Sequence, residues 1–307
     1  ARSASTAARA TFGGPPATFG GPGRSTRGTP HACSAARRAA EAARADGETA
    51  RATVDALHVA TTTPPYEEFD VGATVAEILG LADGVRTTVH TSSTAAGTRA
   101  LRAGFEADGP ALVVAADAPR GEHGSRVDHA AGAGAAALLL SPDGSATLAE
   151  AATHTAEYPG TRFRRRGAET VDRYDATAYE RRAFTEPVAA AVRKLDDPAE
   201  TVAMTAPDGG MPHRAARRFG FDASVVEVAS RVGDAGAASA LLGLVAAWNG
   251  GAERVTCVGY GDGATVDALV LDGALPASFD RETEALDYGG YRRRRDALAV
   301  RGRGGAR

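Results

Sequence analysis

The most informative stretch of the chain is Thr91-Ser92-Ser93-Thr94-Ala95-Ala96-Gly97-Thr98-Arg99-Ala100-Leu101. The run before it, 85–90, is strand-like, and the run after it has a helical pattern, which predicts a sharp strand-to-helix turn. Enzymes that transfer acyl groups covalently carry a nucleophile at such a turn, where N–H groups at the helix start face the acyl oxygen. This turn offers hydroxyl groups and no cysteine.

The composition fits an ordinary globular protein. The 307 residues, 43% of them hydrophobic, suffice for one large domain or two small ones. The longest apolar stretch, 130–140, is too short to cross a bilayer, and no apolar segment follows the N-terminal arginines, so we expect no membrane span and no signal peptide. Only two cysteines, Cys33 and Cys257, are present, which favours a reducing cytoplasm over a disulfide framework.

Charge is distributed unevenly along the chain. Residues 1–44 hold seven arginines and one acid, a net charge of +6, so the whole-chain charge of −3 leaves −9 for residues 45–307. Basic residues therefore concentrate in terminal segments instead of forming a patterned face. This distribution does not support a nucleic-acid-binding role.

The chain divides into four segments by composition. Residues 1–30 are rich in Gly, Pro, Ser, Thr and Arg, and we expect them to be disordered or not native coding sequence. Residues 31–150 and 151–297 are expected to form two structured halves, and 298–307 a basic tail. Helix formers dominate 32–45, whereas 142–180 is predicted to be polar and irregular.

The two halves resemble each other. In each, a turn with glycine precedes a helix of small residues, a buried strand, a glycine-rich link and a second strand. The matching segments are 97–105 with 236–244, 112–116 with 255–258, and 135–140 with 268–271. Continuously apolar short strands are typical of sheets covered on both faces. The pattern predicts a layered α/β fold of two similar units that share one core.

Several motifs, taken in order, resemble a known family. They are Thr61-Thr62-Thr63-Pro64-Pro65-Tyr66, Ser93-Thr94-Ala95-Ala96-Gly97-Thr98, Gly132-Ala133-Gly134-Ala135-Ala136-Ala137-Leu138, Ala206-Pro207-Asp208-Gly209-Gly210-Met211-Pro212, Gly233-Asp234-Ala235-Gly236-Ala237-Ala238-Ser239, Tyr260-Gly261-Asp262-Gly263 and Tyr288-Gly289-Gly290-Tyr291. From about residue 32 to 297, the chain is similar to the thiolase superfamily, and within it to archaeal-type hydroxymethylglutaryl-CoA synthase.

The resemblance implies a fold, a ligand and partners. The fold would be a five-layered αβαβα arrangement of two pseudo-symmetric halves. The ligand would be a coenzyme A thioester, with no metal and no covalently bound cofactor. The partners would be a second copy in a homodimer, an acetyl-CoA acetyltransferase (thiolase) and a zinc-ribbon/OB-fold protein.

The resemblance also assigns site positions. The family's catalytic cysteine falls on Thr94, its glutamate on Thr62 and its histidine on Thr205, and an asparagine expected after Gly233 is Asp234. The same motifs imply substrate-binding positions at Ser93, Gly97, Pro207, Gly209, Asp234 and Gly261.

Threonine does not replace these three groups easily. A thiol with a pKa near 8.5 can become a thiolate at a helix start, whereas an aliphatic hydroxyl needs an adjacent base. Neither Thr62 nor Thr205 can accept a proton as a carboxylate or an imidazole does. We therefore predict a degenerate active site in a subunit that binds a thioester or acts as a scaffold. An acyltransferase with a hydroxyl nucleophile at Thr94 and a relic without function remain alternatives.

Other candidate residues have plain structural explanations. Thr94 could cap the following helix, His90 could pack at a strand end, and Cys257 could be an inert buried thiol. The cluster Glu122, His123, Asp128 and His129 lacks zinc-type spacing and is expected to be a solvated loop. The segment 259–263 leads into a strand, which excludes a dinucleotide loop. Arginines 162 and 164–166 could bind phosphates or remain a solvated basic loop, and Arg292–Arg295 is expected to be a surface helix or a partner-docking end.

Overall fold

A computed structural model describes residues 3–13, 54–158, 162–173, 180–205, 207–275, 277–278, 287 and 290. The helix predicted over 32–45, the residue Cys33, the cluster Arg292–Arg295 and the basic tail 298–307 lie outside these residues. Within the described part, the helices are all too short or too polar to cross a membrane.

The described residues of the N-terminal half form a sheet of five strands with helices on its faces. The strands are β1 (Ser3–Gly13), β2 (Ala56–Ala60), β3 (Arg86–His90), β4 (Ala111–Asp117) and β5 (Ala133–Leu140). The helices are α1 (Val71–Leu79), α2 (Ala96–Glu106) and α3 (Arg126–Ala130). Across the sheet the strand order is β1-β5-β4-β2-β3, with the β4–β2–β3 part parallel.

The C-terminal half repeats this design. Its strands are β6 (Ala146–Thr155), the short pair β7 (Arg162–Phe163) and β8 (Asp172–Arg173), β9 (Thr201–Met204), β10 (Ser224–Val225), β11 (Arg254–Gly261), β12 (Thr265–Asp272) and β13 (Ala277–Ser278). Its helices are a π-helical turn (Arg181–Thr185), α4 (Glu186–Val192), α5 (Met211–Ala216), α6 (Ala229–Val232), a 3₁₀ turn (Gly236–Ala238) and α7 (Ser239–Asn249).

Strand order confirms the predicted pseudo-symmetry. The C-terminal sheet runs β6-β12-β11-β9-β10, so each strand has a counterpart at the same position and in the same sense as in β1-β5-β4-β2-β3. The two five-stranded sheets join where β1 and β6 pair at one end, and β13 adds a short parallel pairing to β1.

Three apolar clusters define five layers. In the middle, α2 and α7 pack between the inner faces of both sheets, and Leu101, Leu241 and Leu244 are all at most 1% exposed. On the outer face of the N-terminal sheet, α1 buries Val75 and Leu79. On the outer face of the other sheet, α4 and α5 pack with the π-helical turn. The α/β/α/β/α order is the fold class expected from the sequence.

Two strands occupy segments where the sequence predicts none. Ser3–Gly13, within the segment 1–30 that we expect to be disordered, is strand β1 and pairs with β5. Ala146–Thr155, within the range predicted to be irregular, is strand β6 and pairs with β12 along its length. Both strands consist largely of Ala, Ser and Thr, so alternate residues differ little in hydrophobicity and the period-two signal is weak. The prediction is wrong for these two segments.

Candidate functional site

Thr94 lies at the strand-to-helix turn that the sequence predicts. Ser92, two residues earlier, has φ of 74°, a left-handed conformation that is uncommon for a residue with a side chain. Helix α2 begins after Ala95, and no side chain in the described part of the chain caps it. The Thr94 hydroxyl instead donates a 2.5 Å hydrogen bond to the Tyr260 carbonyl oxygen and is 5% exposed. The expectation that Thr94 caps the helix is therefore wrong.

Thr62 belongs to a hydroxyl cluster around one buried carboxylate. The Thr62 hydroxyl and its N–H donate to Asp117 Oδ2 at 2.6 and 3.1 Å. Thr63 and Thr61 donate their hydroxyls to Asp117 Oδ1 at 2.5 and 3.4 Å. Asp117 ends β4, and the threonines follow the neighbouring parallel strand β2, so the sheet brings them together.

The same carboxylate links the two halves of the molecule. The N–H of Ala237, in the 3₁₀ turn before α7, donates to Asp117 Oδ2 at 2.8 Å. Gly236 has φ of 53°, and a Cβ there would collide with the Asp117 carboxylate. Among the described residues, Asp117 therefore accepts five hydrogen bonds from two chain segments, and it is only 1% exposed.

Thr205 occupies the matching place in the C-terminal half. It follows β9, is 1% exposed, and accepts a 3.2 Å hydrogen bond from the Tyr260 N–H through its hydroxyl. The Tyr260 carbonyl accepts from the Thr94 hydroxyl, so the backbone of Tyr260 bridges Thr94 and Thr205. The structure thus brings these two sequence-predicted positions together.

A cavity of about 460 Å³ opens beside these residues. Its walls come from the loops after β2 and β3 and from the loop around β7, and they include Thr62, Ser93 and Thr94. The full described lining is Thr62, Thr63, Pro64, Pro65, Tyr66, Glu67, Thr91, Ser92, Ser93, Thr94, Arg162, Phe163, Arg164, Arg165, Arg166, Gly167, Ala168, Val171 and Asp262. Among these residues there is no cysteine and no histidine.

Four arginines contribute to the cavity wall, and they differ in exposure. Arg162 has a side chain only 7% exposed and forms a 3.0 Å ion pair with Asp234. Burial raises the pKa of the Asp234 carboxyl, and the Arg162 guanidinium opposes that rise. Arg165 and Arg166 are 73% and 90% exposed at the rim. The segment therefore begins with a buried arginine and continues with exposed arginines, so the expected solvated loop describes only its later part.

The other predicted substrate-binding positions separate into two groups. Gly261 packs on the turn, since a Cβ there would lie 2.6 Å from Ser93 Oγ, and a Cβ on Gly97 would collide with the Ala237 carbonyl. Both glycines allow backbone to approach closely at the junction of the halves. Pro207 is buried, and Gly209 is exposed near the Glu227 carboxylate. Neither of these two residues belongs to the described lining of the cavity.

His90 pairs with a second histidine behind the turn. His58 Nδ1 and His90 Nε2 are 3.2 Å apart on neighbouring strands β2 and β3, and the buried His58 Nε2 atom has no hydrogen-bond partner among the described residues. Burial lowers the pKa of His58, with a smaller effect from Arg86. Burial also lowers the pKa of His90 to about 4, with further contributions from His58 and Arg99. The structural role expected for His90 fits this pairing.

Cys257 and the segment 259–263 both lie at strand β11. Cys257 is fully buried in β11, where burial raises the pKa of its thiol to about 12, as expected for an inert cysteine. The segment 259–263 turns from β11 into β12, as predicted.

The loop after β4 differs from the expectation of a solvated loop. Asp128 lies in α3 and is 4% exposed. No group of three metal-ligating side chains occurs among the described residues.

Asp117 is the residue that the sequence analysis missed. An acid at the end of the apolar run 111–116, directly after a parallel strand, was an available signal, because such strand ends face ligand crevices in α/β sheets. Its three threonine partners lie 54–56 residues earlier, so only the tertiary structure identifies them.

Comparisons with known proteins place this site in context. No family model matches the chain. A hydroxymethylglutaryl-CoA synthase of Methanopyrus kandleri is 28% identical over 234 residues, 70% of this chain and 66% of that protein. A hydroxymethylglutaryl-CoA synthase of Thermococcus kodakarensis is 27% identical over 257 residues, 76% of this chain and 73% of that protein. The chain thus spans about two thirds of the length of the first relative.

Solved structures share the fold. A crystal structure of HMG-CoA synthase complexed with CoA superposes with a TM-score of 0.67 at 15% identity, covering 88% of this chain and 74% of that one. The 3-oxoacyl-(acyl carrier protein) synthase III of Pseudomonas aeruginosa PAO1 gives 0.68 at 22% identity, covering 79% and 83%.

Proposed function

Because the chain is a hydroxymethylglutaryl-CoA synthase-like protein of the thiolase superfamily, we propose that it binds a coenzyme A thioester in the 460 Å³ cavity without condensing it. Three threonines occupy the positions that the family uses for thiol, carboxylate and imidazole. The binding function and the loss of chemistry are both parts of this proposal.

The hydrogen bond made by the Thr94 hydroxyl is the main support for the proposal. Its hydroxyl donates to a backbone carbonyl, which cannot take up a proton and so cannot activate the oxygen for attack. The carboxylates in the described cavity lining belong to Glu67 and Asp262, and Glu67 accepts from Arg166 and the Gly167 N–H. Thr205, also buried, uses its hydroxyl as an acceptor from backbone. None of these arrangements supplies a base to Thr94.

The charge of the rim supports a phosphate-bearing ligand. Arg164, Arg165 and Arg166 follow one another along the wall, and guanidinium groups bind phosphate through paired, charge-assisted hydrogen bonds. A volume of about 460 Å³ lies within the usual range for small-molecule sites. Arg164 also donates to the Thr62 carbonyl at 2.9 Å, so the wall is fixed to the threonine loop.

The binding part is tested by titration calorimetry of the full chain with acetyl-CoA. We expect Arg165→Ala with Arg166→Ala to weaken binding by at least about tenfold, because charge-assisted hydrogen bonds to phosphate are lost. The matched control, Arg217→Ala with Arg218→Ala, removes two exposed arginines that do not line the cavity. Equal affinity for the rim variant, the control and the unaltered chain would contradict the proposal.

A second candidate function rests on a different hydroxyl. Thr62 and Thr63 line the cavity and donate short hydrogen bonds to the Asp117 carboxylate, which can accept a proton, unlike the carbonyl that faces Thr94. An acyltransferase with a hydroxyl nucleophile would therefore use one of these two residues. That candidate requires an acetyl ester on Thr62 or Thr63, located by peptide mapping, which Asp117→Asn abolishes.

Assembly and location complete the proposal. We propose a homodimer, supported by the strand β3, whose outer edge is unpaired within the described sheet. A thiolase and a zinc-ribbon/OB-fold protein are proposed as further partners, on the family resemblance alone.

The presence of only two cysteines, with Cys257 unbridged, supports a cytoplasmic location.

A further inference from the structure

The Glu67 carboxylate lies at the rim of the cavity and is held by the opposite wall. Its Oε2 atom accepts a 3.1 Å hydrogen bond from Arg166 Nε, and its Oε1 atom accepts a 2.9 Å hydrogen bond from the Gly167 N–H. Glu67 follows β2 in the N-terminal half, whereas Arg166 and Gly167 lie between β7 and β8 in the C-terminal half. All three residues line the cavity. A carboxylate of the chain itself therefore occupies a site between the two halves.

The two donors that hold Glu67 are suited to other oxyanions as well. The Ala168 N–H donates to the Arg165 carbonyl oxygen, so residues 165–168 form a β-turn. Gly167, at the third position of this turn, has φ of 76°, a left-handed conformation that favours glycine. Its N–H is not needed for the hydrogen bond of the turn and donates to the carboxylate instead. A backbone N–H beside a guanidinium group can bind a phosphate oxygen in the same way.

The contact is ionic but exposed to solvent. The hydrogen bonds from the Gly167 N–H and from Arg166 hold the pKa of the Glu67 carboxyl below its ordinary value, so this group is ionised at neutral pH. The side chains of Arg166 and Glu67 are 90% and 58% exposed. Water and salt screen so exposed an ion pair, and an incoming anion can therefore replace it. Because the Glu67 side chain is largely exposed, rotating it toward solvent frees both donors without moving the backbone.

A second contact joins the same two loops independently of Glu67. Arg164 Nη2 donates to the Thr62 carbonyl oxygen at 2.9 Å, and both residues also line the cavity. The loops therefore stay connected when the Glu67 carboxylate leaves its donors. A substitution at Glu67 should then free the two donors while the cavity wall keeps its position.

We propose that Arg166 and the Gly167 N–H form a phosphate subsite of the cavity, and that Glu67 is an internal competitor which a ligand phosphate displaces. While Glu67 occupies the subsite, the chain is not competent to bind phosphate there. The apparent affinity for a phosphate ligand falls by the fraction of chains in this state. The inference rests on the proposed function, since it takes the phosphates of a coenzyme A thioester as the displacing groups.

Calorimetric titration of the full chain with acetyl-CoA and, separately, with inorganic pyrophosphate tests the competitor. Glu67→Gln removes the charge with little change of shape, and it should tighten the binding of both ligands by about three- to fivefold, the size of effect that an exposed ion pair gives. Glu68→Gln is the matched control, because Glu68 is adjacent, also exposed and outside the described lining of the cavity. This control should change either affinity by less than about 1.5-fold.

A double-mutant cycle separates competition from simple repulsion. In an Arg166→Gln background, Glu67→Gln should change the pyrophosphate affinity by less than about twofold, because the donor for which Glu67 competes is gone. A carboxylate that only repelled anions would give the same gain with or without the arginine. An equal gain in both backgrounds therefore overturns the proposal.

The two ligands also separate this inference from the proposed function. If acetyl-CoA binds none of the chains while Glu67→Gln tightens pyrophosphate binding, the proposed function is contradicted and the internal competitor is supported. Equal pyrophosphate affinity in Glu67→Gln, Glu68→Gln and the unaltered chain overturns the inference, as does absence of pyrophosphate binding to all three. Circular dichroism melting verifies that each variant is folded.

Discussion

The two halves of the molecule share a strand order but end their matching strands differently. After β2 in the N-terminal half, three threonine hydroxyls converge on the buried charge of Asp117. After β9 in the C-terminal half, the Thr205 hydroxyl accepts from the Tyr260 N–H and the Thr205 N–H donates to the Val258 carbonyl, and both partners are neutral backbone groups. The same topology thus keeps a charged centre at one strand end and a neutral contact at the other. The hydroxyl–carboxylate cluster of the site therefore lies in the N-terminal half, whereas the four arginines of the cavity wall lie in the C-terminal half.

Removing the charged centre should have the largest effect. Asp117→Ala leaves three hydroxyls and two N–H groups without their acceptor in a buried site, and we expect a loss of about 3 to 5 kcal/mol of unfolding free energy. Urea denaturation measures it. Asp143→Ala, at an exposed position, is the matched control and should stay within about 0.5 kcal/mol. A loss below about 1 kcal/mol for Asp117→Ala would remove the distinction between the two halves.

Disturbing the close contact between the two halves should have the next-largest effect on stability. A methyl group on Gly97 would collide with the Ala237 carbonyl, so we expect Gly97→Ala to cost up to about 3 kcal/mol. Gly84→Ala is the control, because nothing lies within 4 Å of a Cβ at that position. If thermal melting gives the same stability for both variants, the close approach of α2 to the 3₁₀ turn is not as described.

The neutral contact should matter less than the charged one. Thr205→Val keeps the shape of the side chain and leaves the buried Tyr260 N–H unpaired, for an expected cost of about 1 to 2 kcal/mol. Thr205→Ser retains the hydroxyl and serves as the comparison in urea denaturation. A Thr205→Val cost as large as that of Asp117→Ala would make the two strand ends equivalent.

Acid should weaken the N-terminal half through its histidine pair. The pKa values of His58 and His90 are lowered in the folded state, that of His90 to about 4. The unfolded chain therefore binds protons first, and stability should fall as the pH drops from about 6.5 toward 4. The counterparts β9 and β10 contain no histidine. Hydrogen exchange at pH 5 should lose protection in β2 and β3 before β9, and His58→Gln with His90→Gln should remove that order.

Sequence patterns were sufficient for much of the fold and for part of the site. Strands with bulky apolar residues, such as 111–116, were predicted because burial on both faces leaves a continuous signal. Strand β6 was not predicted, because its many Ala and Thr residues give little contrast in hydrophobicity between alternate positions. Thr62, Ser93 and Thr94 line one cavity, and their roles there stay predictions. The Arg162–Asp234 pair joins residues 72 positions apart, and no local pattern encodes such a contact.

We propose above that the cavity holds an intact thioester. Mass spectrometry of the full chain mixed with acetyl-CoA, recorded under native and then denaturing conditions, tests it most directly. We expect a native complex that contains whole acetyl-CoA and a denatured chain of unchanged mass. A denatured chain heavier by one acetyl group, or no native complex at all, would contradict it.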